Sequence, residues 1–197
     1  MKNRLVLASN SPRRKELLRG LGIDFEVRLI GDIDESYPND LPANEVPVHI
    51  SKVKAAAYMD TMTENEVILT ADTIVVCDGE ILGKPHDAED ARRMLGLLSG
   101  KSHEVITGVT LSTLQWQRSF AVTTVVWFKE LNADEISFYV DSYRPFDKAG
   151  AYGIQEWIGY VGVQRIEGSY FNVMGLPVQR IYEELKGYFD FLHPFEV

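Results

Sequence analysis

An α/β fold is predicted for this chain, and three observations carry the prediction. Strand-like and helix-like apolar periods alternate along most of its 197 residues. With 45% hydrophobic and 25% charged residues, the chain is long enough to bury a sizeable core. No internal repeat, low-complexity run or linker interrupts it, so residues 1–197 read as one domain, or as two small lobes of one.

The elements follow in order. Residues 4–8 (Arg-Leu-Val-Leu-Ala) predict a short apolar strand. Ser11 is a candidate helix N-cap, and Pro12 suits a first turn, where its missing N–H costs nothing. Leu17, Leu18 and Leu21 continue that helix with apolar spacing. Residues 25–29 alternate as a strand, and a polar loop runs over 31–42. A helix is predicted over 46–59, with Ile50, Val53 and Ala57 on one face. Residues 67–76 read as a buried strand; Asp78-Gly79 is a strong two-residue hairpin signal, and residues 80–82 return. Asp87 opens a helix that runs to about Leu98 and is stopped by Ser99-Gly100. Strands over 103–114 and 118–128 join near Gln115-Trp116-Gln117. A helix over 133–140, a Pro/Gly-bearing loop, a strand over 160–166 and a helix over 172–185 complete the body. Gly175-Leu176-Pro177 would kink that last helix or delay its start. The aromatic tail, 188–195, reads as packing or a subunit contact.

Composition removes several function classes. A formal net charge of −9 disfavours nonspecific binding to nucleic-acid backbone. Cys77 is the only cysteine, which excludes an intrachain disulfide and a thiolate metal cluster. His49, His86, His103 and His193 are scattered, without the close spacing of a histidine metal site. Five apolar residues precede Ser9, too few for a signal peptide, and no run approaches a membrane span. The expectation is a soluble cytoplasmic protein with neither nucleic acid nor membrane as partner.

Candidate chemistry begins at Ser9-Asn10-Ser11-Pro12-Arg13-Arg14. The free N–H groups of a first helical turn carry the positive end of the helix dipole. Two hydroxyls and two guanidiniums at that point suit phosphate oxygens. The same residues also read as an ordinary capped helix with solvated arginines, yet cations in a first turn oppose the dipole unless an anion arrives. Asp72 stands inside the apolar run 67–76, where a carboxylate is expensive unless paired, hydrogen-bonded or bound to a cation. Backbone N–H groups or Thr73 are the structural alternatives. Asp34-Glu35 lies in the polar loop, where acidic pairs are usually only solvated, but oxygen ligands there suit a hard divalent cation with phosphate. Leu82-Gly83-Lys84-Pro85 reads first as turn chemistry, with Lys84 as a compact positive charge. Lys52 and Lys54 lie on different faces of their helix, so one faces a given site and the other solvent. Gln155, after a glycine-rich stretch, offers a donor and an acceptor to a base edge, or is a surface glutamine.

Taken in order, these segments resemble the Maf family of nucleotide pyrophosphatases over nearly the whole chain. The resemblance rests on LASNSPRRKELL, Asp34-Glu35, Lys54-Ala55, Ala71-Asp72-Thr73, Leu82-Gly83-Lys84-Pro85, residues 148–155 (KAGAYGIQ), residues 168–173 (GSYFNV) and Gly175-Leu176-Pro177. It implies an elongated mixed sheet with flanking helices, in which two lobes surround a central cleft in the Maf/ITPase-like manner, and a homodimer. It implies hydrolysis of nucleoside triphosphates to monophosphate and pyrophosphate with a divalent metal, Mg²⁺ or Mn²⁺. Asp72 then matches the catalytic proton acceptor, and Ser9, Arg13, Arg14, Glu35, Lys54, Lys84 and Gln155 match the other active-site positions. Arg13, Thr73 and Gln155 occupy the positions that track substrate, in the combination of the branch acting on dTTP and UTP rather than 7-methyl-GTP. In this reading Glu35 is the more direct metal ligand, with Asp72 sharing the metal through water. Arg14, Lys54 and Lys84 hold the phosphate chain, while Arg13, Thr73 and Gln155 face the base. The rival is a nucleotide-sensing regulator of cell division without catalysis, against which Asp72 and Glu35 argue: carboxylates weaken a pure polyphosphate binder.

Overall fold

The computed structural model describes residues 3–189. Its sheet has seven strands: β1 (Arg4–Leu7), β2 (Phe25–Val27), β3 (Glu66–Cys77), β4 (Glu80–Leu82), β5 (Ser102–Ser112), β6 (Gln117–Phe128) and β7 (Val163–Glu167). Their order is β2-β1-β3-β5-β6-β7, with β4 attached to β3. β1 runs parallel to β2 and β3, whereas β4 and β7 are antiparallel to their partners, so the sheet is mixed. The helices are α1 (Pro12–Arg19), α2 (Val46–Ala56), α3 (Ala88–Leu98), α4 (Ala133–Tyr143), α5 (Trp157–Gly162), α6 (Tyr170–Val173) and α7 (Val178–Leu185). Among the described residues, no helix is long and apolar enough to cross a membrane.

The chain divides into two compact units. Among the described residues, the first contains 3–72, 107–122 and 175–189; the second contains 73–106 and 123–174. In the first, Val6 and Ile68 from neighbouring strands pack with Tyr58 and Met62. The carboxylate of Glu66, almost fully buried at the head of β3, takes two hydrogen bonds from Arg28, at 2.8 and 3.1 Å, and one from Arg4 at 3.0 Å. These arginines stand on β1 and just past β2, so the carboxylate clamps three strands at one end. The Arg28 hydrogen bonds hold its pKa down at about 2.

In the second unit, the amphipathic α3 and α4 cover strands whose inward faces carry Val75, Leu82, Val105, Val126 and Phe128. Asp87 caps α3 by accepting the Asp90 N–H at 2.8 Å, and Asn132 with Glu135 forms a capping box on α4. Asp78 and Gly79, at φ +51° and +82°, make the tight β3–β4 turn that their sequence announces.

Two expectations are corrected. Residues 160–162 are not strand but the last turn of α5, because pairing with β6 begins only at Val163. The helix expected over 172–185 is two, α6 and α7, parted at Gly175-Leu176-Pro177, where proline has no N–H to continue the first. Of the aromatic tail, Tyr188 packs on Trp116 with ring centroids 5.0 Å apart; residues 190–195 lie outside the described residues.

His103, buried on β5, hydrogen-bonds the Tyr152 hydroxyl through Nε2 at 2.8 Å, while its Nδ1 has no partner among the described residues. Burial lowers its pKa to about 4. A folded-state value below the unfolded value of about 6.5 makes a stabilising contribution that is complete above pH 6.5 and lost as pH falls toward 4. Between about pH 7 and pH 5 the fold should therefore lose about 2 kcal/mol through this group. His103→Gln is expected to flatten that part of the Tm–pH curve, while Glu66 keeps its contribution until pH drops below 4.5. An unchanged slope in His103→Gln would assign the acid sensitivity elsewhere.

Candidate active site

In the first unit, the β1–α1 turn is built by its own hydroxyls. Ser9 Oγ accepts the Ser11 N–H at 3.3 Å, and Ser11 Oγ caps α1 by accepting the Arg14 N–H at 3.4 Å. No acidic residue lies in the first turn of α1, so Arg13 and Arg14 stand at the positive end of the helix dipole. Arg14 directs Nε to the Gly175 carbonyl at 2.8 Å and Nη1 to the Ala71 carbonyl at 2.9 Å. These bonds orient the guanidinium and tie it to the residue before Asp72. Burial draws its pKa below the ordinary value; Asp72 and Glu35 oppose that shift, and the adjacent Arg13 adds to it. Arg14 is thus both a charge at the site and a brace for β3.

Asp72 occupies a changeover within β3. Residues 66–71 are all buried, whereas Asp72 and Thr73 are partly exposed, so the carboxylate sits where the buried run opens. Its side chain is 16% exposed, and Oδ1 accepts a hydrogen bond from Lys54 Nζ at 2.9 Å. Lys54 also reaches Glu35 Oε2 at 3.1 Å, so one ammonium joins both carboxylates. Lys54 lies in the last turn of α2, where a cation is favoured by the dipole, while Lys52 is exposed, as the helical spacing requires. The loop delivers Glu35 through a local turn in which Asp34 accepts the Ser36 N–H at 2.9 Å. That hydrogen bond holds the Asp34 pKa below its ordinary value. Asp34 thus shapes the loop, and Glu35 reaches the lysine.

Two carboxylates gathered around a cation are hard oxygen donors. Among the described residues no group of three or more His, Cys, Asp or Glu side chains could hold a metal ion. The pair fits a divalent cation that keeps several waters and takes further ligands from phosphate, as Mg²⁺ does.

The second unit carries Thr73, Lys84 and Gln155. Thr73 is joined to Asp72 by the peptide bond within β3. Lys84 is exposed and makes no ion pair among the described residues. The Gly150 N–H donates to the Gly83 carbonyl at 3.0 Å, so the residue before Lys84 is held against the segment leading to Gln155. Gln155 Oε1 is buried and has no hydrogen-bond partner among the described residues. Such an atom costs about 1–3 kcal/mol unless a ligand completes it.

Sequence reasoning assigned no role to Glu66, Tyr139, Lys148 or Glu156. Glu66 opens an apolar strand and shows the same buried-carboxylate signal as Asp72, but its partners make it structural. The others surround the Gln155 turn, and only the charges of Lys148 and Glu156 flanking a glycine-rich run hint at it in the sequence.

The model of the family described as "Maf-like protein" matches residues 4–188. A relative in Phocaeicola vulgatus, named dTTP/UTP pyrophosphatase, is 60% identical over 185 residues, covering 94% of this chain and 96% of its own. Relatives of the same name in Bacteroides fragilis and Porphyromonas gingivalis are 58% and 51% identical, covering 93% and 95% of this chain and 95% of their own lengths. Among solved structures, the Ham1 protein of Staphylococcus aureus superposes with a TM-score of 0.56 at 16% identity, covering 94% of this chain and 99% of its own. That likeness establishes the fold and nothing further.

Proposed function

The chain belongs to the Maf family, and from that premise we propose that it hydrolyses dTTP and UTP to the monophosphate and pyrophosphate. The observation that carries the reading is the Lys54 ammonium joining Asp72 to Glu35, with Arg14 within electrostatic reach of both. A water attacking the α-phosphorus must lose a proton as its new P–O bond forms. Asp72 takes that proton as general base, and the bond from the α-phosphorus to the bridging oxygen breaks to release pyrophosphate. Lys54 holds the carboxylate in place. Arg14, Lys84 and the first turn of α1 stabilise charge on the phosphates, with Ser9 shaping that turn. A divalent cation, Mg²⁺ or Mn²⁺, would be held by Glu35 and Asp72 and supplies further charge neutralisation there. A homodimer in the cytoplasm, acting on free nucleotides rather than nucleic acid, completes the proposal; the net charge of −9 supports its last part.

Arg13, Thr73 and Gln155 are assigned to the base. Gln155 donates to O4 and accepts from N3–H, the edge that uracil and thymine share, and its buried unpartnered Oε1 supports the second of these bonds. Cytosine presents an amino group and an unprotonated N3 instead, which leaves buried groups unpaired unless the amide turns over, and Arg13 and Thr73 define the pocket against that turn. The test is a panel of dTTP, UTP, CTP, ATP and 7-methyl-GTP at one metal concentration and pH. dTTP and UTP should be preferred, and Gln155→Glu should depress both because a carboxylate cannot donate to O4. Equal turnover of CTP, ATP or 7-methyl-GTP would refute the pyrimidine assignment.

A further inference from the structure

We infer that Tyr139 is a positioning residue for Gln155, setting base selection through one buried hydroxyl that closes the turn on which Gln155 stands. The inference rests on the assignment of Gln155 to the base. Residues 153–156 form a turn closed by the Glu156 N–H on the Gly153 carbonyl at 3.0 Å, with Gln155 third of the four. The Tyr139 hydroxyl accepts the Gly153 N–H at 3.0 Å and donates to Glu156 Oε2. A single oxygen from α4 therefore grips both ends of the turn. The other carboxylate oxygen of Glu156 pairs with Lys148 Nζ at 3.1 Å, and Lys148 also holds Asp147 at 2.7 Å.

Two features distinguish this network from ordinary packing. The network fills the space at the first position of the turn: a Cβ on Gly153 would lie 2.9 Å from the Glu156 carboxyl carbon and 3.0 Å from Lys148 Cε, so those two side chains would have to shift to admit it. Gln155 Oε1, meanwhile, has no protein partner among the described residues, so no hydrogen bond to that oxygen orients the amide. The backbone of the turn fixes where that side chain departs, and the backbone is set by Tyr139, Glu156 and Lys148. Buried ion pairs contribute little net stability because desolvation offsets their attraction. Tyr139 is fully buried, and burial raises its pKa well above the ordinary range, so the hydroxyl keeps the proton it donates.

The test compares kcat/KM for dTTP and CTP in the wild type, Tyr139→Phe, Gln155→Ala and the double variant. Tyr139→Phe deletes only the hydroxyl and is expected to lower the dTTP/CTP ratio by about tenfold, with Gln155→Ala lowering it at least as far. In the Gln155→Ala background, adding Tyr139→Phe should change the ratio no further, because residues acting as one unit are not additive. Glu156→Gln leaves Tyr139 an acceptor but removes one of the two counter-charges of Lys148, the one that ties it to the turn, and should lower the ratio as well; it carries the test if Tyr139→Phe fails to fold. A dTTP/CTP ratio that falls in Gln155→Ala but is preserved in Tyr139→Phe, even with activity uniformly reduced, would overturn the positioning role alone. A ratio indifferent to Gln155→Ala would instead remove the base assignment, and the inference with it.

Discussion

Asp72→Asn should fold, bind dTTP and turn over at least about a hundredfold more slowly than the wild type, the usual size of a general-base contribution. The amide nearly matches the carboxylate in shape and keeps an oxygen for Lys54, which also retains Glu35 at 3.1 Å. The fold therefore has little reason to change. What disappears is the capacity to accept a proton, and that loss falls on kcat rather than on binding. Affinity for the triphosphate should hold or rise, since one negative charge near the polyphosphate is gone. A hundredfold loss corresponds to about 2.7 kcal/mol of transition-state stabilisation. Single-turnover rates with calorimetric binding of dTTP separate the two effects. A variant that binds normally and turns over within a few-fold of the wild type would take Asp72 out of the base role.

A large effect on both stability and activity is expected at Gly108. A Cβ there would lie 2.2 Å from the Pro47 carbonyl carbon and 2.3 Å from both its oxygen and the Val48 nitrogen. These are backbone atoms in the first turn of α2, so no rotamer change relieves the clash; the helix itself must move off β5. Overpacking of this kind costs about 1–3 kcal/mol and occasionally more. For a chain of this length, that lowers Tm by roughly 2–12 °C. The same helix carries Lys54 two turns later, and a displacement of about 1 Å can cost on the order of a hundredfold in rate. Gly108→Ala is thus expected to lose both stability and activity. Gly96→Ala is the contrast: it lies within α3 with nothing near its Cβ, so replacing glycine should stabilise by about 0.5–1 kcal/mol. Thermal melts and kcat/KM for both variants check the pair; Gly108→Ala behaving like Gly96→Ala would show that α2 is not held there.

What could be read from the residues alone was chiefly what is local. Ser11 and Pro12 opening α1, Asp78-Gly79 turning β3 into β4, and Asp87 capping α3 each act over two to four residues, and the structure places all three as expected. The cost of a charge in an apolar strand singled out Asp72 without showing its partner. Lys54 is 18 residues away, and only docking of α2 on the sheet joins them. Glu66 shows the limit of that reasoning, since it is buried more deeply than Asp72 but its arginines make it a strand clamp. Tyr160 and Val161 carry strand-forming side chains, and what leaves residues 160–162 helical is that pairing with β6 begins only at Val163, which no local period records. The Tyr139 hydroxyl, 14 residues before Gly153, was invisible for the same reason: the contact belongs to the packing of α4 and not to any motif.

The central claim is that water, activated at Asp72, attacks the α-phosphorus. Hydrolysis of dTTP in heavy-oxygen-labelled water, with the products separated and weighed by mass spectrometry, tests it directly. The expected result is dTMP carrying the label beside unlabelled pyrophosphate, with label incorporation at least about a hundredfold slower in Asp72→Asn. Label in the pyrophosphate, or release of dTDP and inorganic phosphate, would contradict it.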